Sequence, residues 1–177
     1  MLKALGIVAA LIAVAVVVVL ILAAMKPDTF VVQRSLDIRA PQDKIAPLIG
    51  DFHAWRDWSP YEGKDPDMKR SYSGAPSGKG AIYAWDGDRN VGSGRLEITD
   101  APPSRTAIQL DFITPFEGHN VAEFTLVPQG EMTRVTWAMR GPVPFFGKII
   151  HVFLNMDRMV GDDFAAGLAK LKTLAEK

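Results

Sequence analysis

Hydrophobic and polar positions divide the chain into three stretches of different period. From Ala4 to Met25 no residue is charged and Ala, Val, Leu and Ile dominate, with Lys3 and Lys26 at the two ends. Wound as a helix, this run is about 33 Å long, enough to cross a hydrocarbon core of about 30 Å. It predicts a single-pass transmembrane anchor over residues 1–26. A cleaved secretory signal has the same order of parts, but its apolar stretch usually runs about 7–15 residues and Leu22-Ala23-Ala24 is a poor cleavage site. Retention of the anchor is therefore the expectation.

Beyond Lys26-Pro27-Asp28 the period becomes two. Phe30, Val32, Leu36 and Ile38 alternate with Gln33, Ser35, Asp37 and Arg39, which predicts a strand with one buried face. Pro41 suits a first helical turn, Ile45, Leu48 and Ile49 give a short stripe, and Asp51 is placed to cap a second short helix ending at Trp58. From Met68 to Arg140 the alternation recurs between turn signals such as Ser73-Gly74-Ala75-Pro76, Asp86-Gly87-Asp88 and Pro128-Gln129-Gly130. That pattern predicts an antiparallel meander of about six strands with one covered face and one solvated face.

The last stretch has a helical period. After Gly141-Pro142-Val143-Pro144, one stripe runs through Phe146, Ile150, Phe153, Val160, Phe164, Leu168 and Leu171, and it predicts one long helix to the C-terminus. Gly161 and Gly167 would cost such a helix about 1 kcal/mol each relative to alanine, so they mark a close approach or a bend. The predicted fold is α+β: residues 27–177 form one domain whose curved antiparallel sheet wraps around a long C-terminal helix, preceded by the transmembrane helix.

Composition changes this picture little. Lys and Arg together number 20, as do Asp and Glu, so no net field marks a nucleic-acid binder. The absence of cysteine excludes disulfides, thiolate metal sites and cysteine nucleophiles.

The opening from Phe30 to Trp58 with Trp55-Arg56-Asp57-Trp58-Ser59-Pro60, the segment Pro115-Phe116-Glu117-Gly118-His119-Asn120, the strand ending Thr133-Arg134-Val135-Thr136-Trp137 and the closing helix together resemble the SRPBCC superfamily. Within it the likeness is to the polyketide cyclase/dehydrase and lipid transport branch, related to START lipid-transfer domains and the birch pollen allergen. The resemblance covers nearly everything after Thr29. It implies a helix-grip fold with a cavity between sheet and C-terminal helix that takes up hydrophobic small molecules or lipids.

Trp55, Trp58, Tyr61, Tyr83, Trp85, Phe112, Phe116, Phe124 and Trp137 are candidates to line such a cavity, which is also where ordinary core aromatics would be found. Trp137 and Phe153 are expected to face each other across it. Two charges fall at apolar phases: Arg34 between Val32 and Leu36, and Asp157 within the helix stripe. Because a lone buried charge is expensive, the two either pair, orient a ligand head group, or reach solvent at the cavity rim.

Other chemistry is thinner. His53, His119 and His151 lack zinc-ligand spacing, so no metal and no cofactor is expected. Glu117 and His119 read as a surface loop in preference to an acid–base pair, and Asp65-Pro66-Asp67 as a turn. Ser93 in Gly92-Ser93-Gly94 lacks the strand-to-helix turn of a nucleophile elbow, and Ser77-Gly78-Lys79-Gly80 lacks the helix a phosphate cradle needs. The expectation is non-catalytic binding or carriage of a hydrophobic small molecule or lipid by a membrane-anchored protein. A cyclase-like enzyme on an apolar ring substrate and an interaction module with a filled core are the alternatives.

Overall fold

The computed structural model describes residues 2–177, with side chains from residue 5 onward, so the flanking charge of Lys3 lies outside them. The elements in order are α1 (Leu2–Ala24), β1 (Thr29–Ile38), α2 (Gln42–Gly50), α3 (Trp55–Trp58), β2 (Lys69–Gly74), β3 (Ala81–Asp86), β4 (Ser93–Asp100), β5 (Arg105–Thr114), β6 (Gly118–Gln129), β7 (Met132–Pro142), α4 (Phe145–Phe153) and α5 (Met156–Ala175). All seven strands join one antiparallel sheet ordered β1-β7-β6-β5-β4-β3-β2. After β1 the chain crosses to the opposite edge through α2 and α3, then returns as a meander until β7 pairs with β1.

Register decides which side chains share a face. Arg34 lies opposite Trp137, Trp137 opposite Phe124, Val32 opposite Met139, Leu96 opposite Leu110 and Tyr83 opposite Tyr72. Since side chains alternate along a strand, all of these point to the inner face. Irregularities in β4 between Ser93 and Gly94, and between Ile98 and Asp100, bend the sheet around that face. Phe164, Leu168 and Leu171 of α5 are buried against it. The short helices close one end: the indole N–H groups of Trp55 and Trp58 donate to the carbonyls of Ile49 and Leu48, each at 2.9 Å, and satisfy the last turn of α2.

The C-terminal region corrects one expectation. The single long helix is two, because Asn155 caps α5, its side chain accepting from the Arg158 N–H at 3.0 Å, while the Leu154 N–H closes α4 on the Ile150 carbonyl. The chain turns at this break, and α4 packs against α1. Phe153 is consequently 70% exposed and does not face Trp137. Phe164 does, stacking on Trp137 with ring centroids 4.0 Å apart and planes within 8°.

Both flagged glycines mark close approaches. A Cβ on Gly161 would overlap the Arg34 guanidinium, and one on Gly167 would stand 2.9 Å from both Pro60 and Trp137.

Candidate functional site

The inner face is built from aromatic rings in edge and stacked contact. Trp137 lies between Phe164 and Phe124, the latter 4.9 Å away, and Trp58 meets it edge-on at 5.7 Å. Trp55 is 6.3 Å from Trp137 and 5.2 Å from Phe52, and Phe52 leads to Tyr83 and then Tyr72. Trp85 and Phe112 are half-buried neighbours at the strand ends. The Trp85 ring lies flat across β4 because its partner there is Gly94, where any Cβ would overlap the indole. Thus Trp55, Trp58, Tyr83, Trp85, Phe112, Phe124 and Trp137 share one surface, and Tyr61 packs beside it. Phe116 and Phe153 lie outside it, on the tip of the β5–β6 connection and on α4, and both are exposed.

Two polar atoms on this surface are buried without a partner among the described residues: the Trp137 indole Nε1–H and the Tyr72 hydroxyl. Such groups cost about 1–3 kcal/mol when left unpaired.

A buried polar cluster stands next to Tyr72; it joins Tyr83 to Glu62 and Arg70, two residues that no sequence pattern singled out. The Arg70 Nε–H donates to Glu62 at 2.6 Å, and the Tyr83 hydroxyl donates to the other Glu62 oxygen at 2.7 Å. Burial, and then the Glu62 carboxylate, push the Tyr83 phenol far above its usual range, so it stays a neutral donor. Glu62 comes from the irregular segment after α3, while Arg70 and Tyr83 come from neighbouring strands; only the tertiary fold brings them together.

Arg34 and Asp157 pair. The guanidinium donates to both carboxylate oxygens, at 3.0 and 3.1 Å, and to the Asp157 carbonyl at 2.8 Å, tying β1 to the first turn of α5. The pair is at the rim, with Arg34 partly and Asp157 largely exposed. Its hydrogen bond raises the Arg34 pKa and lowers that of Asp157. A depressed carboxylate pKa contributes stability that is present above the unfolded value of about 3.9 and is lost as pH falls through the folded value. Exchanging the charges, Arg34→Asp with Asp157→Arg, is expected to recover stability lost by either single variant, whereas simple addition of the two losses would refute the pairing. An NMR titration of Asp157 should move back toward the ordinary carboxylate range in Arg34→Met.

Of the remaining candidates, His119 is exposed, Ser93 half-buried and Asp65 buried. His119 accompanies Asp111 at 2.7 Å as an exposed cross-strand pair, and this partner raises the imidazole pKa. Asp65 forms a turn with the Asp67 N–H and also receives the Asp88 N–H at 2.8 Å. Ser93 is in a strand, its hydroxyl 2.8 Å from that of Thr114.

Comparison with known proteins agrees with this architecture. A protein of Chromobacterium violaceum is similar with a TM-score of 0.57 and 14% identity, over 85% of this chain and 99% of its own. The Aha1 dimer of Colwellia psychrerythraea is similar at 0.59 and 15%, over 83% and 96%. The two-domain ARO/CYC protein StfQ of the steffimycin biosynthetic pathway is similar at 0.61 and 10%, over 84% of this chain and 51% of its own. At such identities the likeness shows the fold alone. A search of curated protein sequences finds no match. Residues 29–176 match the family described as polyketide cyclase / dehydrase and lipid transport, and the chain belongs to that family.

Proposed function

We propose that residues 27–177 bind a hydrophobic small molecule or lipid on the inner face of the sheet, and that residues 1–26 tether this domain to a membrane. The observation that carries the reading is the buried Trp137 Nε1–H, without a partner among the described residues, on an otherwise aromatic surface. An acceptor on a bound molecule would satisfy it and fix the orientation, as a single polar hook does in an apolar site. The family supports the class of ligand, and the fold shared with the ARO/CYC protein StfQ supports polyketide-like or other apolar ring compounds alongside lipids. The helix Leu5–Ala24 has the length and composition to span a bilayer and is almost wholly exposed, which supports the tether.

Native mass spectrometry of the full chain released from detergent is expected to show a co-purifying hydrophobic mass. Trp137→Phe keeps an aromatic ring in place but removes the donor with the pyrrole portion of the indole, so it should weaken retention of that mass by about 5- to 10-fold while the chain still folds. The close Trp137–Phe164 stack favours a second reading, a module whose interior is filled by its own side chains. Under that reading the chain is empty and Trp137→Phe loses stability, because shrinking an indole packed on four rings leaves a cavity that no ligand had occupied.

A further inference from the structure

Helix α4 is amphipathic the wrong way round for water. Phe145, Phe146 and Phe153 share one face by their spacing of seven and eight residues, and all three are exposed, Phe146 at 61%. Lys148, one turn from Phe145, is the residue the helix buries, at 8% exposure. Its ammonium donates to Asp28 in the linker at 2.6 Å. A helix facing solvent would bury the phenyl rings and expose the lysine. Leu154 extends the same exposed apolar surface, and so does Phe116 from the β5–β6 connection, whose ring centroid is 5.9 Å from that of Phe146.

The location of this face names its occupant. α4 packs against α1, where Ala23 is fully buried, and a groove between them is lined by Leu22, Met25, Lys26 and Val152. The four residues between α1 and β1 reach at most about 14 Å even when extended. They are further fixed by the Val143 N–H donating to the Asp28 carbonyl at 2.7 Å. If α1 spans a bilayer, α4 therefore lies where the chain leaves it, at the depth of headgroups and upper acyl chains.

We infer that α4 and the Phe116 tip form a second, interfacial membrane contact that seats the domain on the lipid surface, with Phe145, Phe146 and Phe153 buried among upper acyl chains. This inference rests on α1 being a membrane anchor. Interfacial helices immerse their apolar face about 5–10 Å into the headgroup boundary, and the inverted burial of α4 matches such a surrounding. The domain would then be held in one orientation, and would not swing freely on its linker.

The chain has no cysteine, so single-cysteine variants of the full protein carry one label each. Phe146→Cys, Phe153→Cys, Val14→Cys in α1 and Ser77→Cys on the β2–β3 hairpin are labelled with an environment-sensitive fluorophore and reconstituted in phosphatidylcholine–phosphatidylglycerol vesicles. Labels at 146 and 153 are expected to shift to the blue and to lose about half their emission to lipids carrying a quencher ~5–10 Å below the headgroups. The label at 77 should respond only to aqueous iodide, and that at 14 only to quenchers near the bilayer centre. Labels at 146 and 153 that behave like 77, with 14 still deep, overturn the inference and leave the anchor standing. A label at 14 open to iodide overturns both. Labels at 146 and 153 shielded from iodide yet untouched by lipid quenchers would assign the face to a second copy of the chain and also overturn it.

Discussion

Phe164→Ala is expected to lower the free energy of unfolding by about 3–5 kcal/mol, whereas Phe153→Ala in detergent should stay within about 0.5 kcal/mol. Phe164 is almost fully buried and stacks at 4.0 Å on Trp137, whose ring also touches Phe124, Trp58 and Trp55. Removing its ring takes apolar surface out of contact and leaves a cavity that rings held on three elements are poorly placed to close. Phe153 has little protein contact to lose. Chemical denaturation of the detergent-solubilised chain, followed by tryptophan fluorescence, checks both. A Phe164→Ala loss below about 2 kcal/mol would show that the ring borders space the domain already leaves open, which would favour ligand binding at that point over a filled interior.

Arg70→Met should cost a similar amount, about 3–5 kcal/mol, because it leaves the Glu62 carboxylate buried with only the Tyr83 hydroxyl as a strong partner. The side chains of Glu62 and Arg70 are 8% and 16% exposed, and the pair carries further bonds from Arg70 to the Met68 and Glu62 carbonyls. Replacing both, Glu62→Leu with Arg70→Met, removes the stranded charge and is expected to be less harmful than Arg70→Met alone. Equal losses in the single and double variants would mean that the carboxylate escapes to water when its partner is gone. The same denaturation measurement decides between them.

Much of this protein was legible along its sequence because the relevant interactions are periodic. Alternation of period two in β1 and in β3 to β7 reports one buried face, and pairing of successive strands follows from short turns. The phase anomaly of Arg34 was readable for the same reason: a charge at an inward position needs a partner, and Asp157 supplies it at the rim. Gly161 and Gly167 announced close approaches because a missing Cβ in a helix is otherwise a cost.

Only the tertiary structure decided the rest. The phase of Phe146, Ile150 and Phe153 runs almost continuously into Val160 and Phe164, so periodicity alone merges α4 with α5. The separating signal is local capping, Asn155 before Asp157, and where the two helices then point depends on packing against α1 and the sheet. Glu62 and Arg70 carry no pattern, since their meeting with Tyr83 depends on an irregular segment folding over two strands. The burial of Lys148 with its phenylalanines outward is likewise invisible in one dimension: an amphipathic period says that a helix has two faces, and the surrounding structure decides which face is covered.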